Sequence, residues 1–501
     1  MEQQHGALNE VNSFLDDVTQ QIQYKPIRNE IRKELAAHIE DKKEEYEHYG
    51  IHGPEAWRKA LAAMGDAVEV GIQLNEIRKV QKNSLSVLFV IALTVIGMIG
   101  TIRTEVSSGF YIRYTDLFYF FFGVIILLIT YHFGYQFFAK NCKKILYALL
   151  SVLLLYFLFI LVSVYFENYS LISFLNTSLA FALRILCIPF VVGFSYFNRK
   201  KKHLPILLTT IITAFILITS SVTFLSDYLI AANIIFIVTV YASFLYMIIK
   251  KLFGETKRYQ IITYLVSLGV VITIFIISLL GNVKSEFEQF IYPERVASDY
   301  WDDAYNSILI RELLSKAEFI GPISLSEEES VNYLTGKWYF DDLSDTDIKY
   351  RMQFASENGI ILEDILPLHY HNNYRVAYWI LKYGWFLFFV LISIILTAYG
   401  VLFRMIQKIN NNMGKIMALS CVIALSTQVI IYVLGNIGYQ LGWFCTFPFI
   451  SEGKCSITIN MILAGLACSA YRYDKVTKEN NYNMIKGRRN KLFIGTIQPK
   501  N

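Results

Sequence analysis

The sequence predicts an all-α, polytopic membrane protein with ten transmembrane helices, a small cytoplasmic helical domain and a large extracellular loop. Three observations predict it. Hydrophobic residues make up 54% of the 501-residue chain and charged residues 17%, against about 45–50% and about 25% in soluble domains. The apolar residues gather into ten segments, each near the ~20 residues that cross a bilayer as a helix. Lys and Arg concentrate in alternate loops between those segments, as expected for loops held on the cytoplasmic side. The composition excludes a disordered chain, a coiled coil and an ordinary cytosolic enzyme. Six cysteines in 501 residues do not make a disulfide scaffold.

Residues 1–84 form the first domain. They carry 15 Asp+Glu and 11 Lys+Arg with no long apolar run, and no cleavable signal peptide is expected ahead of the first span. Ile27, Ile31, Leu35 and Ile39 recur at helical spacing. Gly50 and Gly53-Pro54 punctuate the chain, and Pro54 opens a second helix. Gly65-Asp66 ends that helix, and a third is expected from about Ala67 to Lys82.

The membrane domain, 85–472, follows. Spans are expected at 85–102, 116–138, 145–165, 171–196, 204–224, 228–250, 260–281, 378–403, 415–436 and 454–471. Lys140, Lys143 and Lys144 follow span 2; Arg199 to Lys202 follow span 4. Lys250, Lys251, Lys257 and Arg258 follow span 6, and Arg404, Lys408 and Lys415 follow span 8. The tail, 473–501, is also basic. With ten spans all these cations share one face, so both termini are cytoplasmic in a plasma membrane. The segment 282–377, between spans 7 and 8, carries 18 Asp+Glu and 8 Lys+Arg, a local charge of −10. A segment of that length is usually functional, and its interrupted apolar runs predict short helices over the membrane surface.

The last third carries a specific pattern: Gln428, Asn436, Gly438, then Pro448-Phe449-Ile450-Ser451 and Gly453. It resembles the SEDS family, the FtsW/RodA/SpoVE group of cell-wall proteins. That family has a Gln in span 9, an Asn-x-Gly after it and Pro-Phe-Ile-Ser-x-Gly-Gly before span 10. The ten spans and single large outer loop agree with it. Tyr292-Pro293 with Tyr305-Asn306-Ser307 is similar to a motif early in the family's loop, and Asp227 to the Asp of its span 6 motif. The resemblance implies polymerisation of lipid II, or a related lipid-linked precursor, at the outer leaflet. It implies a role in division, cell shape or sporulation, with a class B penicillin-binding protein as partner. Residues Tyr24, Glu34-Leu35, His38-Ile39-Glu40-Asp41, Tyr46, Met64-Gly65-Asp66 and Leu74-Asn75 resemble the permease prefix domain, which implies an adaptor or regulatory role. A metal site at His38, Glu40 and Asp41 is the sharper alternative, but adjacent helix residues do not share a face.

Polymerisation needs a carboxylate to accept a proton from the attacking hydroxyl, and cations or a metal ion for the pyrophosphate. The family keeps its Asp in Leu-Pro-x-x-His-Thr-Asp-Phe before span 8. Here the chain reads Leu366-Pro367-Leu368-His369-Tyr370-His371-Asn372-Asn373-Tyr374. With one extra residue, Asn373 takes the place of the acid. A neutral amide donates and accepts hydrogen bonds but does not take a proton at neutral pH. Asp364 and Glu363 are the nearby substitutes. The resemblance assigns substrate contacts to His371, Arg184, Asp227, Gln428, Asn436, Pro448, Ser451 and Gly453.

Arg184 lies inside span 4, where a cation is costly and by default functional; a pyrophosphate contact and a pairing with Asp227 both fit. Lys454 stands where the family has its second Gly. No protein-held metal is expected, although a divalent cation could accompany the pyrophosphate. His369 and His371 are one residue apart, a weak metal signal. Cys445 and Cys455 could pair, but two buried thiols are the simpler reading. Nothing points to nucleic acid, because the Lys clusters follow the topology. Two other functions stand beside the polymerase: a non-catalytic scaffold or regulator of a cell-wall synthase, and a lipid flippase or transporter.

Overall fold

A computed structural model describes residues 2–107, 114–166, 177–201, 203–219, 226–254, 257–279, 283–298, 302–340, 345–353, 355, 359–367, 369–442 and 444–476. All regular structure among them is helical, and they divide into two compact units. Most of the basic tail, 477–501, lies outside the described residues.

The first unit comprises Met1–Lys82, Asn410–Asn412 and the segment from Arg472. It contains α1 (Glu2–Gln20), α2 (Arg28–His48), α3 (Pro54–Ala62) and α4 (Ala67–Ile77). The third expected helix therefore stops five residues early. Helix α1 was not anticipated, although Ala7, Val11, Leu15 and Val18 line one face of it and are buried. They share a core with Ile31, Leu35 and Ile39 of α2 and Ala56 and Ala60 of α3. Asp66 caps α4 by accepting from the Glu69 N–H at 2.9 Å. A Cβ on Gly71 would lie 2.8 Å from the Val18 carbonyl, so only glycine allows α4 this close to α1. The Asp474 carboxylate accepts from the backbone N–H groups of Asn410 (2.9 Å) and Asn411 (2.7 Å). His38 is half-buried, while Glu40 and Asp41 are exposed.

The second unit comprises Asn83–Ile409 and Met413–Tyr471. Seven of its described helices are long and apolar enough to cross a membrane, and Leu204–Ile218 is a shorter apolar helix. The first is α5 (Ser84–Ser107). The expected break between spans 2 and 3 is absent. Instead α6 (Tyr114–Ile129) passes through a π turn (Thr130–Gly134) straight into α7 (Tyr135–Tyr165), giving an apolar helical run of 49 residues. At 1.5 Å per residue that is about 73 Å, more than twice the ~30 Å hydrocarbon thickness. Lys140, Lys143 and Lys144 are good helix formers with no Gly or Pro among them, so charge alone does not end the helix.

Four apolar helices follow: α8 (Thr177–Phe197), α9 (Leu204–Ile218), α10 (Ser226–Ile249) and α11 (Lys257–Ser278). The long loop folds into short helices α12 (Val283–Ile291), α13 (Asp303–Ser315), α14 (Glu327–Thr335), α15 (Asp345–Met352) and α16 (Leu362–Ile365). The expected eighth span is split: α17 (Arg375–Tyr383) ends at Gly384, and α18 (Trp385–Gln407) is the apolar helix. Gly384 has φ +92°, a backbone conformation that favours glycine. Helices α19 (Asn412–Asn436) and α20 (Lys454–Arg472) complete the unit.

Candidate functional site

Three stretches far apart in sequence meet at the loop end of the second unit. They are the turn 369–374 leading into α17, the end of α19, and the turn 447–453 ahead of α20. Asn436, the last residue of α19, is fully buried and uses both ends of its amide. Its Oδ1 accepts from the backbone N–H groups of Val376 (2.9 Å) and Ala377 (3.1 Å), satisfying two of the donors that a helix leaves open at its start. Its Nδ2 donates to the Asn373 carbonyl at 2.9 Å and to the Tyr432 carbonyl at 3.0 Å. The Tyr432 hydroxyl donates to the Asn372 carbonyl at 2.8 Å. The Asn373 turn is therefore held through its backbone by α19. Its half-buried side chain makes no hydrogen bond among the described residues.

Gly438 follows at φ +84°, and a Cβ there would lie 2.7 Å from the Ser307 carbonyl and overlap the Arg311 stem. Its carbonyl accepts from Arg311 Nε at 2.9 Å. In the Asn-x-Gly pair, Asn436 thus fixes α17 and Gly438 admits α13.

The third stretch is a buried turn. Ser451 Oγ accepts from the Phe447 N–H at 2.9 Å, and the Ile450 and Ser451 N–H groups return to the Phe447 carbonyl. Phe449 adopts φ +69°, a region that costs a bulky side chain roughly 1–3 kcal/mol. Pro448 and Ser451 are buried and Gly453 is half-buried; the Lys454 side chain lies outside the described residues. Gly97 of α5 lets this turn approach, since a Cβ there would lie 2.6 Å from Ile450 Cα.

Arg375 ties the stretches together. It is 1% exposed and directs each guanidinium nitrogen at a partner. Nε donates to the His371 carbonyl (2.9 Å), and Nη1 to Thr101 Oγ1 and the Ile450 carbonyl (both 2.9 Å). Nη2 pairs with Glu452 Oε2 at 2.8 Å. Glu105, Asp116 and Glu452 bring one carboxylate oxygen each within 4.8 Å of one another. Among the described residues they form the one His/Cys/Asp/Glu group close enough to hold a metal ion. Arg375, Glu452, Glu105 and Asp116 were all missed in the sequence. The available signals were two acids flanking the first inter-span connection and an arginine directly after the His371–Tyr374 run.

The two candidate substitute acids have other work. Glu363 accepts from the Tyr378 hydroxyl (2.8 Å) and Lys382 Nζ (2.5 Å). Asp364 accepts from the Ile361 N–H at 3.0 Å, closing its own turn. A third carboxylate, Asp303 at the start of α13, sits by Gln440 and Tyr374, with the Tyr374 hydroxyl donating to Gln440 Oε1 at 2.7 Å. Burial raises the Asp303 carboxyl above its ordinary value, assisted by the Asp302 charge and opposed by hydrogen bonds from Gln440 and Asn306. Burial also pushes the Tyr374 phenol well up, so Tyr374 acts as a donor.

The other predicted residues lie elsewhere. Gln428 is buried in mid-α19; its Nε2 turns to the Ala424 carbonyl, and its Oε1 has no partner among the described residues. Arg184 is fully buried in α8 and donates to the Ala180 carbonyl (3.1 Å) and Thr219 Oγ1 (3.0 Å). Asp227 heads α10, but its side chain lies outside the described part. His371 contributes its carbonyl to Arg375, and its ring lies 5.9 Å from that of His369. Cys445 is buried and Cys455 half-buried, and no disulfide joins them.

Comparison with known protein families found no match to this chain, and comparison with curated proteins found none either.

Proposed function

We propose that this chain is a divergent SEDS-type, peptidoglycan-polymerase-like protein of the plasma membrane. In this reading it binds lipid II or a related lipid-linked precursor at the outer leaflet, and both termini are cytoplasmic. The full count of ten spans belongs to the same proposal, in which the 49-residue helical run supplies two of them. One observation carries the reading: motif residues that prompted it, in 369–374, 436–438 and 447–453, converge through Asn436 and Arg375.

Asn373 marks the position where the acceptor hydroxyl would lose its proton. An amide there can orient the hydroxyl but not accept the proton, and losing a general base costs about 10²–10⁴-fold. The chain therefore retains precursor binding and has lost or greatly slowed polymerisation. A divalent cation on the pyrophosphate would find its carboxylates at Glu105, Asp116 and Glu452, where Arg375 already balances one charge. A lipid II polymerisation assay tests this with the purified protein, alone and with a class B penicillin-binding protein. Wild type gives little polymer, and Asn373→Asp raises the rate by about 10²–10⁴-fold. An Asn373→Asp protein that binds precursor yet stays inactive would shift the reading to a scaffold. That second reading is favoured by the engagement of Glu363 and Asp364 in structural hydrogen bonds.

A further inference from the structure

One part of the long loop is bound to the start of a membrane helix yet leaves its largest apolar side chains uncovered. Residues 318–323 run beside 381–386, joined by four backbone hydrogen bonds. Trp385 N–H donates to the Glu318 carbonyl (3.1 Å) and Phe386 N–H to the Phe319 carbonyl (2.9 Å). In the other direction, Gly321 donates to Tyr383 (3.2 Å) and Ile323 to Leu381 (2.7 Å). The fit is close, since a Cβ on Gly384 would lie 2.6 Å from the Phe319 oxygen. The segment is thus fixed relative to both α17 and α18.

At its tip Phe319 is 59% exposed and Ile320 71%. The Phe319 ring meets that of Phe386, 6.1 Å between centroids, and Phe386 is itself 52% exposed. From Phe386 the exposed apolar stripe continues down α18 through Leu387, Phe389 and Val390, the face a membrane helix turns to lipid. Trp385 and Tyr383 sit at the junction, and Trp and Tyr are the residues that settle at membrane–water interfaces. The tip is therefore continuous with the lipid-facing surface of α18 and level with its end.

We infer that Phe319 and Ile320 insert into the leaflet on the loop side, as a hydrophobic wedge that fixes the height of α17 above the membrane. The partner is the bilayer itself, at the boundary between headgroups and acyl chains. The wedge is coupled to the candidate site because α17 begins at Arg375 and ends at the residues that hold it. It holds whether the site polymerises a precursor or only binds one.

The test uses the full chain in phospholipid nanodiscs with a photoreactive benzoylphenylalanine at one position at a time. Position 320 should give lipid adducts on illumination, as should position 389 on α18. Position 328, among the three successive glutamates that open α14, should give none. Lipid adducts at 389 with none at 320 overturn the proposal, as do protein–protein cross-links alone at 320. In parallel, Phe319→Ser with Ile320→Ser should accelerate hydrogen exchange at the amides of Gly321, Ile323, Trp385 and Phe386. Unchanged exchange overturns the claim that the wedge holds α17 in place.

Discussion

Asn436 and Asn373, 63 residues apart, are joined by a 2.9 Å hydrogen bond from the side-chain amide of the first to the carbonyl of the second. The opposite end of the same amide caps α17. One side chain therefore decides both where the turn lies and where the following helix starts. Asn436→Ala removes a cap and leaves buried backbone groups unsatisfied. The cap alone is worth about 1 kcal/mol and each buried orphan about 1–3 kcal/mol. Thermal unfolding in detergent should show a marked loss of stability. Asn436→Asp should not rescue the loss: it keeps the Oδ1 cap but sets an acceptor-only oxygen against the Asn373 and Tyr432 carbonyls.

The Arg375–Glu452 pair is buried on both sides. Breaking such a pair is costly because the remaining charge is left in a poor dielectric. Arg375→Met should destabilise by about 3–5 kcal/mol, the more so because Glu105 and Asp116 lie close to Glu452. Adding Glu452→Leu should recover a large part of that loss, measured by denaturant or thermal unfolding of the single and double variants.

Asp303 gives a pH signature. Its folded-state value is raised by burial, with Asp302 and Tyr374 the ionisable groups beside it. A raised carboxyl contributes stability that is fully present below its unfolded-state value, about 4, and is lost as pH rises through the folded-state value. Asp303→Asn removes this dependence while keeping an oxygen that accepts from Gln440. The variant should match wild type near pH 4 and unfold at a higher temperature at pH 7. A variant less stable at pH 7 than wild type would contradict the assignment.

Gly438→Ala should destabilise by more than about 1 kcal/mol, since alanine is strained at φ +84°. Its Cβ would also press on Arg311 and the Ser307 carbonyl. Faster hydrogen exchange across α13 would locate the damage where α13 meets the Asn-x-Gly turn.

The helical class and most apolar helices were legible, because long apolar runs leave few alternatives to a membrane helix. The merged helix from Tyr114 to Tyr165 was not, because lysines mark a membrane face without breaking a helix. Helix α1 carries helical spacing at Ala7, Val11, Leu15 and Val18, but Asn9, Asn12, Ser13, Asp16 and Asp17 between them are weak helix formers that mask it. At the site, Asn436, Gly438 and Ser451 were singled out only by the family resemblance, and each has a local backbone task that explains its residue type. Arg375 and Glu452 were not, because partners 77 residues apart leave no local pattern. The same holds for Glu105 and Asp116, which meet Glu452 only through tertiary packing.

The most direct measurement is equilibrium binding of lipid II to the purified chain in nanodiscs, compared with phosphatidylglycerol and with a variant that fills the Asn373 turn. The account predicts selective lipid II binding, abolished by Asn373→Trp and retained by Asn373→Asp. Lipid II binding no tighter than phosphatidylglycerol, or unaffected by Asn373→Trp, would contradict it.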